Sequence, residues 1–362
     1  MKKKLLTLLL AGCVVLSMAA CGKEETEGPE KTTENTGENA EIDRSALGTS
    51  KLTKLGKYKG MTYVPYDATV TDEELEVEIE YMLSQSEIPQ EIVTEKSFVV
   101  IDYVGKKDGV AFDGGTASDQ TLSIENSGYI PGFAESIVGM KVGETKDCPM
   151  TFPEDYHAEE LKGADVVFTI TVDKSYVRAE EVNEEFAKSE GYESVDDLYA
   201  GVRADYEAYE QQNAQSDMEY QLIEGVIANS TFDINEDEVA VYVADLESEY
   251  EAYAYQYGYD LETYVTNANG MTMEAFDAQN REIALYRIKS PLVLAAIAEA
   301  EGLTVSEDEY AERAQKYVEY YQKNSVEELE AVYTKETIML QLTADMAVEH
   351  IVEHAIAVEE DK

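Results

Sequence analysis

The sequence predicts an α+β chain in which a small antiparallel β-sheet wraps on one short helix and a mostly α-helical body follows. Three observations carry that class. Phe98-Val99-Val100-Ile101-Asp102-Tyr103-Val104-Gly105 is a β-rich run that leads to the hairpin signal Asp108-Gly109. Among the short strands that follow, only Gly132 to Val138 suits a helix. From residue 179 onward helix-start signals recur at Ser194-x-x-Asp197, Asn235-x-x-Glu238, Ser306-x-x-Glu309 and Ser325-x-x-Glu328.

In chain order, Lys2, Lys3 and Lys4 form a basic start, and Leu5 to Met18 is an apolar stretch. A run this short suits a secretory signal better than a bilayer span. Met18-Ala19-Ala20-Cys21-Gly22 resembles a bacterial lipobox, although Leu is commoner where Met18 stands. The expectation is that residues 1–20 are removed and that Cys21 becomes a lipidated first residue, anchored in the membrane by several acyl chains. Residues 21–50 are rich in Glu, Thr, Gly and Asn, and are expected to be a disordered acidic linker.

Residues 51–92 are expected to hold a short extended piece at Met61 to Val64 and then a helix. Thr71-Asp72-Glu73-Glu74 is a capping box, Leu75, Ile79, Met82 and Leu83 follow at helical spacing, and Ile88-Pro89 ends it. Residues 93–178 form the α+β domain, with further strands at Thr121 to Ile124, Thr145 to Phe152 and Val166 to Val172. Residues 179–362 read as helices with breaks at Gly258, Gly270, Pro291 and Gly302. Tyrosines 242, 250, 253, 255, 257, 259 and 264 fall in one stretch with acids between them, which suits an amphipathic surface.

Of 362 residues, 76 are acidic and 28 basic, a formal charge of -48. So acidic a chain excludes nucleic acid as a partner and argues against docking on anionic lipid through protein charge. A hydrophobic fraction of 44% argues against wholesale disorder. Loss of residues 1–20 removes three lysines and no acids, leaving 25 minus 76, or -51. Cys148 is then the only thiol, so no internal disulfide forms, and it reads as a small core residue.

The middle domain resembles FKBP-type peptidyl-prolyl isomerases. The resemblance rests on Val100 to Gly105, Phe112-Asp113-Gly114-Gly115, Tyr129-Ile130-Pro131-Gly132-Phe133, Val138-Gly139-Met140-Lys141-Val142-Gly143-Glu144 and Phe152-Pro153-Glu154-Asp155-Tyr156-His157, in the family's order. Tyr156 to Gly163 is similar to the trigger-factor branch. So are Leu55 to Leu83 and the tail around Ile297-Ala298-Glu299-Ala300-Glu301-Gly302-Leu303. The resemblance therefore implies an FKBP-like sheet plus a helical domain like the trigger-factor C-terminal chaperone domain. No Gly-Phe-Arg ribosome-docking loop occurs. The architecture looks like an exported lipoprotein form without the ribosome-binding domain.

The implied activity is cis-trans isomerisation of Xaa-Pro bonds in unfolded or newly exported polypeptides. It needs no cofactor and no metal, because amide rotation across a barrier of about 18–20 kcal/mol breaks no bond. The resemblance assigns Phe133 to the pocket floor, and Tyr103, Phe112 and Phe168 to its walls. Ile130 would bond a substrate carbonyl through its backbone N–H. Tyr156 would donate its hydroxyl over the pocket, and Asp113 would be a rim acid that tunes its hydrogen bonding. The plain reading of these aromatics, taken singly, is the core of a small β domain.

Other constellations fail. His350-x-x-x-His354, with Glu349 and Glu353, sets two imidazoles on one helical face, but no third ligand can be named, so a surface pair is preferred. Asp233-x-Asn235-x-Asp237 begins like a calcium loop, yet Glu238 stands where Gly is required. Two other functions stay open: a non-catalytic holdase with a vestigial FKBP domain, and a solute-binding lipoprotein, which the long helical tail opposes. The expected location is outside the cytoplasm on the bacterial cell membrane, with no ribosome as partner.

Overall fold

The computed structural model describes residues 44–359. The signal segment 1–20, Cys21 and the first part of the expected linker lie outside the described residues. The chain divides into two compact units: residues 69–210 make one, and the segments on either side of them make the other.

The flanking unit starts with a turn of 3-10 helix, Arg44–Ala46, and the strands β1 (Lys51–Lys54) and β2 (Thr62–Tyr63). Here the linker expectation is corrected for residues 44–50. The buried carboxylate of Glu238 accepts the Gly48 N–H at 2.6 Å and the Ser50 N–H at 2.7 Å, and Arg44 pairs with Asp245. A carboxylate taken out of water needs such donors, and this polar segment supplies them.

The inner unit opens with α1 (Asp72–Gln85). Thr71 Oγ1 accepts the Glu74 N–H at 3.2 Å, and the Thr71 N–H donates to Glu74 Oε2 at 3.1 Å, so the predicted capping box is closed. Leu75 and Ile79 of this helix pack with Phe186 and Leu198. Then come β3 (Ile88–Pro89), β4 (Phe98–Lys107), β5 (Val110–Ser123), α2 (Phe133–Ile137), β6 (Thr145–Thr151) and β7 (Asp165–Val177). Their order is β3-β7-β4-β5, and β6 also pairs with β7, all antiparallel. Asp108 and Gly109 both have positive φ, 51° and 81°, as a two-residue hairpin turn between Lys107 and Val110 requires. Val99 and Ile101 of β4, Cys148 of β6, and Val166, Phe168, Ile170 and Val172 of β7 alternate onto one buried face. The single helix α2 covers that face with Phe133, Ala134 and Ile137. The strand predicted at Thr121 to Ile124 starts much earlier, because the exposed residues of β5 are held by the β4 ladder rather than by burial.

The inner unit ends with α3 (Glu184–Ser189) and the first part of α4 (Val195–Asn229). The flanking unit resumes within α4 and adds β8 (Thr231–Asp233), α5 (Glu236–Gln256), α6 (Met273–Glu301), α7 (Glu307–Tyr320), α8 (Val326–Val332), α9 (Lys335–Glu353) and β9 (Ile356–Ala357). β8 pairs antiparallel with β1, and β9 parallel with β2. Asn235, Ser306 and Ser325 cap α5, α7 and α8 as their spacing predicts, and Gly302 ends α6 at φ 66°. Pro291 does not break the chain as expected: it lies inside α6. Val293, Leu294 and Ile297 after it and Ile283 and Tyr286 before it are buried in one core with Leu222, Leu246 and Ile351. That packing outweighs a cost of about 3 kcal/mol for a proline in a helix interior.

Candidate active site

Six aromatic rings converge over the buried face of the five-stranded sheet. Phe133, the first residue of α2, is 1% exposed and sits at their centre. Tyr103 of β4 meets it edge-on at 5.3 Å between ring centroids, and Phe168 of β7 at 5.2 Å. Phe112 of β5 lies edge-on to Phe168 at 5.8 Å and to Phe152 at 5.8 Å. Tyr156 tilts onto Phe152 at 4.5 Å. The residues expected as floor and walls are thus brought together, and Tyr156 joins them through Phe152.

Local backbone explains how the rings reach one another. Phe112 lies against two strand positions that carry no Cβ. A Cβ on Gly105 would come within 2.7 Å of the Phe112 ring and 2.6 Å of the Phe168 ring, and one on Gly115 within 2.6 Å of Phe112. Such approaches are closed to any other residue, so these two glycines are the shelf on which Phe112 rests. Gly132 takes φ 91° just before α2, and its N–H donates to Glu135 Oε2 at 3.0 Å. That turn swings Phe133 inward.

Two polar groups stand open at this site. Among the described residues the Ile130 N–H has no hydrogen-bond partner, although its carbonyl accepts the Phe133 N–H at 3.1 Å. The Tyr156 hydroxyl also has none among the described residues, while its N–H donates to the Pro153 carbonyl at 3.1 Å. Both groups are half-buried, at the edge of an apolar ring cluster. His157 is exposed and tilted against Tyr156 at 4.2 Å.

Asp113, expected as a rim acid, lies outside the ring cluster. It is exposed on β5, and among the described residues it makes no hydrogen bond. The Tyr103 ring instead meets the Tyr129 ring edge-on at 5.8 Å. Burial, with the neighbouring Tyr129 hydroxyl second, pushes the Tyr103 phenol up to about 12. Tyr129 itself stacks on Phe133 at 4.4 Å between centroids, with planes 16° apart. Tyr129 lies within the motif Tyr129 to Phe133 and Phe152 begins the motif Phe152 to His157; motif position is the sequence signal for both, and their part in the ring cluster is set by packing. Cys148 is buried in the same core, as expected.

An apolar ring box with one free N–H and one free hydroxyl is suited to holding a small ring and its neighbouring carbonyls. It has no nucleophile or general base among its rings.

Comparison with known proteins agrees with this geometry. Residues 90–173 match the family model described as FKBP-type peptidyl-prolyl cis-trans isomerase, and residues 194–357 match that described as bacterial trigger factor protein C-terminus. The trigger factor of Halalkalibacterium halodurans is 33% identical over 365 residues, covering 98% of this chain and 84% of that protein. The trigger factor of Bacillus cytotoxicus is 33% identical over 334 residues, covering 88% of this chain and 78% of that protein. A solved chain of the trigger factor chaperone aligns at 17% identity and a TM-score of 0.41, over 83% of this chain and 72% of that one. With an FKBP-type domain carrying the ring box and a trigger factor C-terminal domain after it, the chain belongs to the trigger factor family.

Proposed function

We propose that this protein is a peptidyl-prolyl cis-trans isomerase and folding chaperone, working on exported or unfolded polypeptides at the outer face of the cytoplasmic membrane. The observation that carries the catalytic reading is the ring box around Phe133, with the Ile130 N–H and the Tyr156 hydroxyl open at its edge. A prolyl ring enters the apolar box against Phe133, Tyr103 and Phe168. The Ile130 N–H donates to a substrate carbonyl and fixes the register of the peptide. The Tyr156 hydroxyl donates to a second carbonyl over the pocket.

Water favours the planar, charge-separated amide. Transfer to an apolar box weakens that preference, and two positioned donors hold the twisted amide better than the planar one. No bond is made or broken, so rings and two hydrogen bonds suffice.

The location rests on Lys2 to Lys4, the apolar run after them and the Ala19-Ala20-Cys21 segment. The absence of a Gly-Phe-Arg segment supports work away from the ribosome. A chain of charge -51 after loss of residues 1–20, 25 basic minus 76 acidic, stands off anionic head groups at a membrane face and draws in basic client segments. Client binding then weakens as salt is added.

The test is a protease-free isomerisation assay on an Xaa-Pro peptide, comparing the chain from residue 44 with its Phe133→Leu variant. Acceleration by the first, and its loss in a folded Phe133→Leu protein, supports the reading; equal rates remove Phe133 from the site. Cys21→Ser tests the anchor by moving the protein out of the membrane fraction.

A second reading is a holdase without turnover. It is favoured by Tyr253, Tyr255, Tyr257 and Tyr259, all exposed around the end of α5, Tyr255 to 83%. Suppressed client aggregation by a chain that never accelerates isomerisation would select it.

A further inference from the structure

The end of α9 holds a side-chain cluster that the ring box does not use. His350, Glu353 and His354 each offer one ligand atom, and these atoms lie within 4.8 Å of one another. Positions i, i+3 and i+4 share one helical face, so the grouping follows from the helix itself. The sequence offered Glu353 as a neighbour of the pair, and the structure brings its carboxylate within 4.8 Å of both imidazoles as a candidate third donor.

The two imidazoles are already oriented. His354 Nδ1 lies 2.8 Å from the His350 carbonyl oxygen. A carbonyl only accepts, so Nδ1 carries the proton and Nε2 is left with its lone pair. His350 Nε2 is buried, has no hydrogen-bond partner, and sits 3.5 Å from Glu301 Oε2. Glu301 is itself anchored: the Tyr58 hydroxyl donates to its Oε1 at 2.6 Å, and Lys59 Nζ lies 2.8 Å from the same oxygen. Its second oxygen therefore stays turned to His350. A carboxylate that accepts from the far nitrogen of a ligating imidazole is the usual support of a metal-bound histidine. Glu349, next in sequence, is taken by Arg313 at 3.0 Å and is not available.

We propose that His350, Glu353 and His354 bind a divalent transition metal, zinc by their donor set, with Glu301 as the carboxylate behind His350. Two imidazoles and one carboxylate with an open fourth position suit zinc in a tetrahedral site. Bonds of about 2.1 Å place ligand atoms about 3.4 Å apart, so binding draws the three inward by rotation of the exposed Glu353 side chain. The His354 carbonyl accepts the Gly60 N–H at 3.0 Å. An ion here staples the end of α9 beside the short β2–β9 pair.

The experiment is a zinc titration of the full chain against a competing chelating dye, with cobalt as a spectroscopic substitute. So acidic a surface binds divalent ions weakly everywhere, and the variants separate that background from a site. One zinc per chain is expected, with visible cobalt bands of four-coordinate intensity. His354→Ala and Glu353→Gln, both at the helix end, each lose tenfold or more in affinity and lose the cobalt bands. Zinc raises the thermal midpoint of the wild-type chain and leaves that of the double variant unmoved. Equal zinc affinity in wild type and double variant, or no stoichiometric binding, overturns the proposal.

Discussion

Tyr129 lies nearly flat on Phe133, centroids 4.4 Å apart, while Tyr103 meets Tyr129 edge-on at 5.8 Å. One face of Phe133 is therefore already covered by a ring of the protein's own. On the proposed reading, a prolyl ring that reaches this face displaces Tyr129. An aromatic pair of this kind holds about 0.5–1.5 kcal/mol beyond its buried area. Tyr129→Ala is expected to raise kcat/KM about two- to tenfold, through KM, in the isomerisation assay. A fall instead would make Tyr129 a wall of the box.

The Tyr103 phenol gives a pH signature. Its folded value, about 12, lies above the ordinary value of 10.0, because burial and the neighbouring Tyr129 hydroxyl favour the neutral form. The stabilisation is complete below pH 10 and is lost as pH rises toward 12, where the unfolded phenol ionises and the folded one does not. Urea midpoints at pH 9 and pH 11.5 are expected to fall less for Tyr103→Phe than for wild type. Equal falls would remove Tyr103 from the alkaline limb.

Tyr156→Phe isolates one hydroxyl. That hydroxyl has no partner among the described residues, so the fold loses nothing and the melting temperature stays put. A neutral hydrogen bond made only to substrate contributes about 1 kcal/mol. The expected result is a loss of about fivefold in kcat/KM at unchanged stability.

The glycine shelf under Phe112 is tested by Gly115→Ala. The added methyl meets the ring at 2.6 Å, and the side chain must leave its place. Overpacking of this kind costs about 1–3 kcal/mol, read as a lower urea midpoint. The isomerisation rate falls with it, because Phe112 supports Phe168, a wall of the box.

Pro291→Ala is expected to stabilise the protein. Proline leaves the Arg287 carbonyl without its helical donor, and position 291 is exposed. Alanine restores the N–H and adds no bulk. The gain expected in urea unfolding is about 1–3 kcal/mol.

Legibility in the sequence followed burial. β4 and β7 alternate branched and aromatic residues onto a covered face, and their pattern marks them. β5 carries Asp113, Gly114, Gly115, Ser118 and Asp119, is largely exposed, and takes its strand geometry from its partner, so nothing in its own composition announces its start. Capping signals at Thr71, Asn235, Ser306 and Ser325 are local chemistry and read directly. Pro291 misled because local propensity gave way to a core assembled from four helices. Within the site, family motifs locate Phe133 and Tyr156, but the position of Tyr129 is a matter of ring geometry. Glu301 beside His350 is invisible for a similar reason: the two are far apart in sequence and meet only through the packing of α6 with α9.

The strand pairs of the flanking unit also dictate an order of events as the chain is made. Lys51 pairs with Asp233, and Thr62 with Ile356, so β1 waits for β8, and β2 waits for β9, which follows it far along the chain. The inner unit has every one of its strands within 69–210 and can close while the rest is still emerging. Closing the outer loops costs chain entropy that only the completed helices repay. Until then β1 and β2 are unpaired segments of a nascent polypeptide. Before it can assist another chain, this protein is itself a client in waiting.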